Sequence, residues 1–271
     1  MFNSHVHMKF SRDCSAEGSE MCEKALSDGL LGIAFTDHCF LDACITENSY
    51  KRALESAEEA MRLRDIYKGR LKISVGTEMG EALRKPDYAD RIINAAPFDI
   101  VLMSVHKIIY QNMPNSLSRI DFQTLSDDEI SDIIMEYFRE VEESVLYTDF
   151  DVCAHLTLPF RYISGVYKRK IRESCYEKPI KKILSLLIKH EKALELNTGD
   201  LKRQICDFIP DEKIIKLYYE MGGRLITIGS DAHVPENIAT GLSEGISLLK
   251  KCGFSEYCYY EKRNPVMIPI N

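Results

Sequence analysis

Seven times along its length this chain passes from a short, β-branched apolar run into a longer stretch of helical periodicity. The apolar runs lie at 2–8, 31–37, 71–77, 99–105, 151–155, 193–197 and 225–230. The helical stretches lie near 19–28, 50–67, 86–95, 126–146, 177–190, 210–221 and 236–252. The runs are short and mostly apolar, as expected of strands, and alternate with the longer helical stretches. A strand followed by a helix and then another strand pairs in parallel. Seven such units predict an α/β fold with a parallel sheet, most simply closed into a barrel. A doubly wound open sheet is the alternative. The 271 residues are enough for one barrel domain spanning 1–271.

Local signals agree with this alternation. Asp127, Asp128 and Glu129 crowd the start of one helix, where negative charge suits the dipole, and Gly222-Gly223 ends another. Residues 107–125 and 157–175, rich in Asn, Ser, Arg and Tyr, read as long active-site loops. The net charge of −7 leaves no basic block suited to nucleic acid. No apolar stretch reaches the roughly 18 residues of a membrane span, and "MFNSHVH" has no leader pattern, so a cytoplasmic protein is expected. The nine cysteines form no C-x-x-C pair and read as reduced structural thiols.

The histidines fall on this map in a telling way. His5 and His7 end the first run, and His38 follows "GIAFTD". His106 follows "DIVLMSV", His155 follows "DVCA", and His233 follows "LITIGSDA". Glu78 follows "KISVGT", and Asp231 precedes His233 by two. Only His190, in "LLIKHEKALEL", lies in a helical stretch, where it reads as solvated. Six of seven histidines thus sit at strand carboxyl ends, the face where barrel enzymes place their chemistry. Alternate strand residues share a side, so His5 and His7 are expected to face the barrel mouth together, and so are Asp231 and His233. Ser230 and Ala232 would then point away and stay small for packing. A lone histidine of this kind is usually a hydrogen-bonded core residue. A converging set of imidazoles and carboxylates needs counter-charge, which zinc, iron or manganese supplies.

In order along the chain, "HVHMKFSRD", "FTDH", "GTEMG", "SVHK", "CAHL" and "GSDAH" resemble the successive motifs of the polymerase-and-histidinol-phosphatase (PHP) metal-dependent phosphoesterases. The opening run through "FTDH" is most similar to the histidinol-phosphate phosphatase subgroup. The resemblance implies a distorted seven-stranded (β/α) barrel holding two to three divalent transition-metal ions. By position, His5, His7 and Asp231 with a bridging Glu78 match the first metal's ligands. Glu78, His106 and His155 match the second's, and Asp13, His38 and His233 the third's. Asp13 would otherwise read as a surface acid.

The implied reaction is hydrolysis of a small phosphate monoester, histidinol phosphate foremost and a sugar, nucleotide or phosphotyrosine ester as the alternative. Asp231 and His233 are the candidates for proton handling, beside Glu78 at the catalytic centre. A non-enzymatic module would lack ligands, and none is missing. Phosphate also wants cations, and Arg161, six residues past His155, matches the family's basic position there. Lys202 and Arg203, past the sixth run, and Lys107, after His106, are further substrate-binding candidates against the plainer reading of solvated charges. The sequence departs from the subgroup at Thr157, where an acid is expected, and at "TGDLKR".

Overall fold

The computed structural model describes residues 1–41, 47–110, 113–172, 175–202 and 206–270. The chain opens with β1 (Phe2–Val6), α1 (Gly18–Ser27), β2 (Gly32–Phe35), β3 (His38–Phe40), α2 (Glu47–Ile66) and β4 (Lys72–Gly80). Then come α3 (Pro86–Ile93), β5 (Ile100–Ser104), a hairpin of β6 (Lys107–Tyr110) and β7 (Met113–Ser116), and α4 (Asp127–Tyr147). β8 (Val152–Cys153) leads into a single turn α5 (Leu158–Phe160), which widens into a π turn over Arg161–Val166. α6 (Glu177–Lys189), β9 (Ala193–Asn197), α7 (Glu212–Glu220), β10 (Ile226–Gly229), α8 (Leu242–Lys251), β11 (Glu256–Glu261) and β12 (Asn264–Pro269) complete it. No described helix is long and apolar enough to cross a membrane.

Seven strands, in the order β1-β2-β4-β5-β8-β9-β10, pair in parallel throughout. The two edges meet: Val6 bridges Ala232 in parallel, and the Asp231 and His7 amides donate to the carbonyls of His5 and Ala232, each at 2.9 Å. The sheet is therefore a nearly closed barrel, and the open doubly wound alternative is overturned. Helices cover the barrel by ordinary amphipathicity. α6 buries Ile180, Ile183, Leu184 and Leu187, spaced i, i+3, i+4 and i+7. α4 starts at a capping box in which Ser126 and Glu129 satisfy one another's amides.

Three features differ from the sequence reading. The run at 31–37 ends as a strand at Phe35 and a second strand follows it at His38, because Asp37 turns from the ladder to accept the amides of Met8 and Ser11 and the hydroxyls of Ser11 and Ser56. β3 then resumes beside β4 in unchanged register, Phe35 opposite Val75 and His38 opposite Glu78. The stretch 107–125 carries a hairpin, β6–β7, in place of an irregular loop. The last helix begins at Leu242, not near 236, since Gly241 takes a left-handed φ of 68° at its N-cap.

The C-terminal hairpin β11–β12 seals the end of the barrel where the strands begin. Tyr257 accepts the Phe2 amide, and Ser74 donates to the Tyr260 carbonyl. The turn residues Lys262 and Arg263 donate their amides to Asp99, and the Arg263 guanidinium pairs with Asp151. With this end plugged, the opposite mouth is left for chemistry.

Candidate metal centre

Glu78 sits near the end of β4, fully buried, with its carboxylate pointing into the mouth. Five imidazoles from four parts of the chain converge on it. His38 approaches to 2.6 Å, His155 to 2.9 Å, His106 to 3.3 Å, His5 to 3.4 Å and His7 to 3.7 Å. Asp231 forms a second acidic point, 3.2 Å from His7, 3.6 Å from His233 and 3.8 Å from His5. Asp13, exposed at the rim, lies 3.4 Å from His233 and 3.6 Å from His38. All nine candidate ligands therefore meet at one mouth.

Within it, three sets hold ligand atoms within 4.8 Å of one another: His5, His7 and Asp231; His38, Glu78 and His106; and His7, His38 and His233. The first set matches one grouping implied by the resemblance. The others cut across it, since His38 stands beside Glu78 and His106 as well as beside Asp13 and His233.

The hydrogen bonds behind the rings fix which nitrogen faces inward. A carboxylate can only accept, so His5 Nδ1–H donates to Glu195 at 2.7 Å. Ser11 donates its hydroxyl to Asp37 and so accepts from His7 Nδ1 at 2.9 Å. His233 Nδ1 donates to the Asp231 carbonyl at 3.0 Å. In each case Nε2 keeps a lone pair aimed at the centre, the arrangement in which an outer acceptor orients a metal-binding imidazole. The Nε2 atoms of His5, His7 and His233, Nδ1 of His38 and Oε2 of Glu78 are all buried without a hydrogen-bond partner. Buried polar atoms are seldom left so, and a cluster of lone pairs facing one space fits cations.

Charge at the mouth is divided unevenly. Burial opposes ionisation of Glu78, but His38, His106 and His5 outweigh it and hold the carboxyl well below its usual range. Burial also acts on His38, where Glu78 and Asp13 prevail and raise the imidazole to about 10. In His106 burial dominates, assisted by His155 and His38, and the imidazole falls to about 3. His7 is likewise well below its ordinary value, through burial and then the neighbouring His233 and His38. His106 and His7 are thus held neutral, the form that ligates, whereas in His5 and His233 the neighbouring carboxylates outweigh burial and raise the imidazoles.

The alternation argument for Asp231 and His233 needs correction. β10 ends at Gly229, and Asp231 lies beyond it with a left-handed φ of 52°. The two side chains face one space because a turn is pinned to β1, not because strand residues alternate. Ser230 is no mere spacer either: Asn3 donates to its hydroxyl and accepts its amide.

Of the proposed substrate cations, Arg161 opens the π turn and reaches inward. Its Nε donates to the buried Asp200 at 2.6 Å, and Nη2 lies 3.5 Å from Asp231. Lys107 rests its ammonium 5.1 Å from the ring centre of Phe40, which stacks on His38. The Lys202 side chain and all of Arg203 fall outside the described residues. Sequence reading missed Glu195, whose second oxygen accepts the His155 amide at 2.7 Å. Its signal was a lone acid inside the buried run "ALELN".

Comparisons with known proteins give the same picture. A family model described as "PHP domain" matches residues 3–199. "Probable histidinol-phosphatase" of Thermotoga maritima is 31% identical over 270 residues, covering 100% of both chains. "Histidinol-phosphatase" of Lactococcus lactis is 29% identical, covering 93% of this chain and 91% of its own. The crystal structure of histidinol phosphate phosphatase from L. lactis, complexed with zinc, L-histidinol and phosphate, superposes with a TM-score of 0.79 at 24% identity over 98% of each chain. A family model matching residues 3–199 of the 271, and a relative aligned end to end, place this chain in the PHP domain family.

Proposed function

We propose that this chain is a metal-dependent phosphomonoesterase that converts L-histidinol phosphate and water to histidinol and phosphate. The observation that carries the reading is the Glu78 carboxylate ringed by five imidazoles, with the inward-facing atoms of His5, His7, His38 and Glu78 itself left without a hydrogen-bond partner. The histidinol-phosphatase names of its full-length relatives support the substrate. The reading treats 1–271 as one cytoplasmic barrel domain of histidine synthesis.

His5, His7 and Asp231 with Glu78 would hold one ion, Glu78, His106 and His155 a second, and Asp13, His38 and His233 a third, His38 also serving Glu78. Bound there, zinc, iron or manganese would lower the pKa of water and offset charge on the phosphate. Arg161 would fork phosphate oxygens, its guanidinium oriented by Asp200. Lys107, Lys202 and Arg203 would add positive potential at the rim. The leaving alkoxide needs a proton, and Asp231 and His233 are the groups proposed to handle it. Thr157, where the subgroup has an acid, favours one second reading: the same chemistry on another small phosphate ester.

The test is elemental analysis of the purified protein followed by a panel of phosphomonoesters. Two to three transition-metal ions per chain and a tenfold or greater preference for histidinol phosphate are expected, with activity lost on strong chelation. Less than one ion per chain, with turnover surviving chelation, would sink the metal-dependent reading. Equal or better turnover of a sugar or nucleotide ester would transfer the assignment to the second reading.

Arg161→Ala is expected to raise KM and lower kcat/KM about 10- to 150-fold, the value of a charge-assisted phosphate contact of about 1.5–3 kcal/mol. Because the change also strands Asp200, Arg161→Ala with Asp200→Asn is the better measure. Unchanged kcat/KM in both would return Arg161 to a structural ion pair.

A further inference from the structure

β5 ends at Ser104, yet the chain must still deliver His106 to the mouth two residues later. The strand beyond it offers no ladder there, since β5 and β8 pair only at Leu102–Val152 and Met103–Cys153. The backbone of His106 and Lys107 is held by other means. Glu81 Oε1 accepts both amides, His106 at 2.7 Å and Lys107 at 2.9 Å. Arg84 Nη2 donates to the Lys107 carbonyl at 2.7 Å, and the His106 carbonyl accepts the Leu117 amide at 2.9 Å. All four polar groups of the segment are therefore satisfied, three of them by side chains of one short turn.

That turn is itself built with care. Glu81 is fully buried and adopts a left-handed φ of 57°, which non-glycine residues avoid. Its own amide donates to Ser104, so its backbone extends the strand pairing while its side chain caps the next amides. Arg84 is clamped by Glu140 of α4 through two hydrogen bonds, 2.9 and 2.7 Å. Strain of this sort persists where the surroundings over-determine it, and it clusters at functional sites. Glu78 and Glu81 are three residues apart. The end of β4 thus supplies one carboxylate that faces His106 directly and a second that fixes that histidine's backbone.

We infer that Glu81, backed by Arg84 and Glu140, is a positioning residue for the metal centre. It sets His106 against Glu78, and Lys107 over Phe40, while touching neither metal nor substrate. The inference rests on the metal-dependent reading. That reading stands or falls on the metal content and turnover of the unaltered protein, so the two can fail separately.

The experiment compares Glu81→Gly with Glu81→Gln. Glycine removes the side chain yet suits the left-handed backbone, so this variant is expected to fold, melting somewhat lower than the parent because two amides lose their acceptor. It is nevertheless expected to bind one of its ions about 10- to 100-fold more weakly, the range for residues that orient metal ligands, and to lose kcat in proportion. Glutamine keeps an amide oxygen able to accept both N–H groups and is expected to stay within about threefold of the parent. A Glu81→Gly protein with unaltered metal affinity and kcat would overturn the inference. So would a Glu81→Gln protein as impaired as the glycine variant, because charge and not positioning would then be the cause. Should Glu81→Gly fail to fold, Glu81→Asn carries the comparison, since asparagine tolerates the left-handed backbone but is one methylene too short to reach both amides. Unchanged metal affinity there would overturn the inference equally.

Discussion

Glu78→Gln is expected to lower kcat/KM at least a thousandfold, roughly 4 kcal/mol of transition-state stabilisation, while the barrel stays folded. The carboxylate lies within 3.7 Å of five imidazoles, so both oxygens serve the centre. Glutamine matches its shape but turns one oxygen into an NH2 group, which cannot ligate, and removes a charge proposed to be shared by two ions. The loss should fall on metal binding and turnover together. The fold should survive, because residue 78 keeps its backbone pairing to His38 and Leu102 in the middle of the sheet. Steady-state kinetics beside elemental analysis and a thermal melt decide the matter. A variant within tenfold of the parent, or one that keeps its full complement of metal, would remove Glu78 from the hub.

The alternation of apolar runs and helical stretches was readable because each barrel strand is buried on both faces, which leaves short runs rich in apolar, β-branched residues. The histidines were readable because catalytic groups gather where such strands end. What escaped reading obeys other constraints. The β11–β12 turn is Lys262-Arg263, both with positive φ, 49° and 65°. Such a turn ordinarily announces itself through Asn or Gly. Here Asp99 holds the turn from outside by accepting both turn amides, a tertiary contact that leaves no local mark. β3 was hidden for a similar reason. The break at Asp37 depends on Ser11 and Ser56, both far away in sequence, which supply its hydrogen bonds. Glu195, Ser11 and Glu81 act from behind the imidazoles, and only the first is conspicuous, as a charge inside a buried strand. The side-by-side placement of Asp231 and His233 came out as expected, but from a turn instead of a strand.

That turn shapes the second large effect. Asp231→Asn is expected to cut kcat/KM by roughly a hundredfold or more, about 3 kcal/mol, and to weaken chiefly the ion proposed at His5 and His7. The choice of asparagine matters, because residue 231 sits at φ 52°, where Asn and Asp are tolerated far better than other side chains. Alanine would mix backbone strain with the loss of a ligand. Asparagine keeps the turn, its amide bond to the His5 carbonyl, and the Asp231 carbonyl that orients His233. Only the charge and one oxygen are lost. The other carboxylate oxygen, Oδ2, faces Arg161, 3.5 Å away, so the variant also loosens the guanidinium proposed to meet phosphate. KM should therefore rise as kcat falls. If Glu78 and Asp231 serve one centre, their effects should not add: the double variant should be little worse than Glu78→Gln alone. A fully additive double variant would show two independent sites, and an Asp231→Asn enzyme within threefold of the parent would take Asp231 out of the centre altogether.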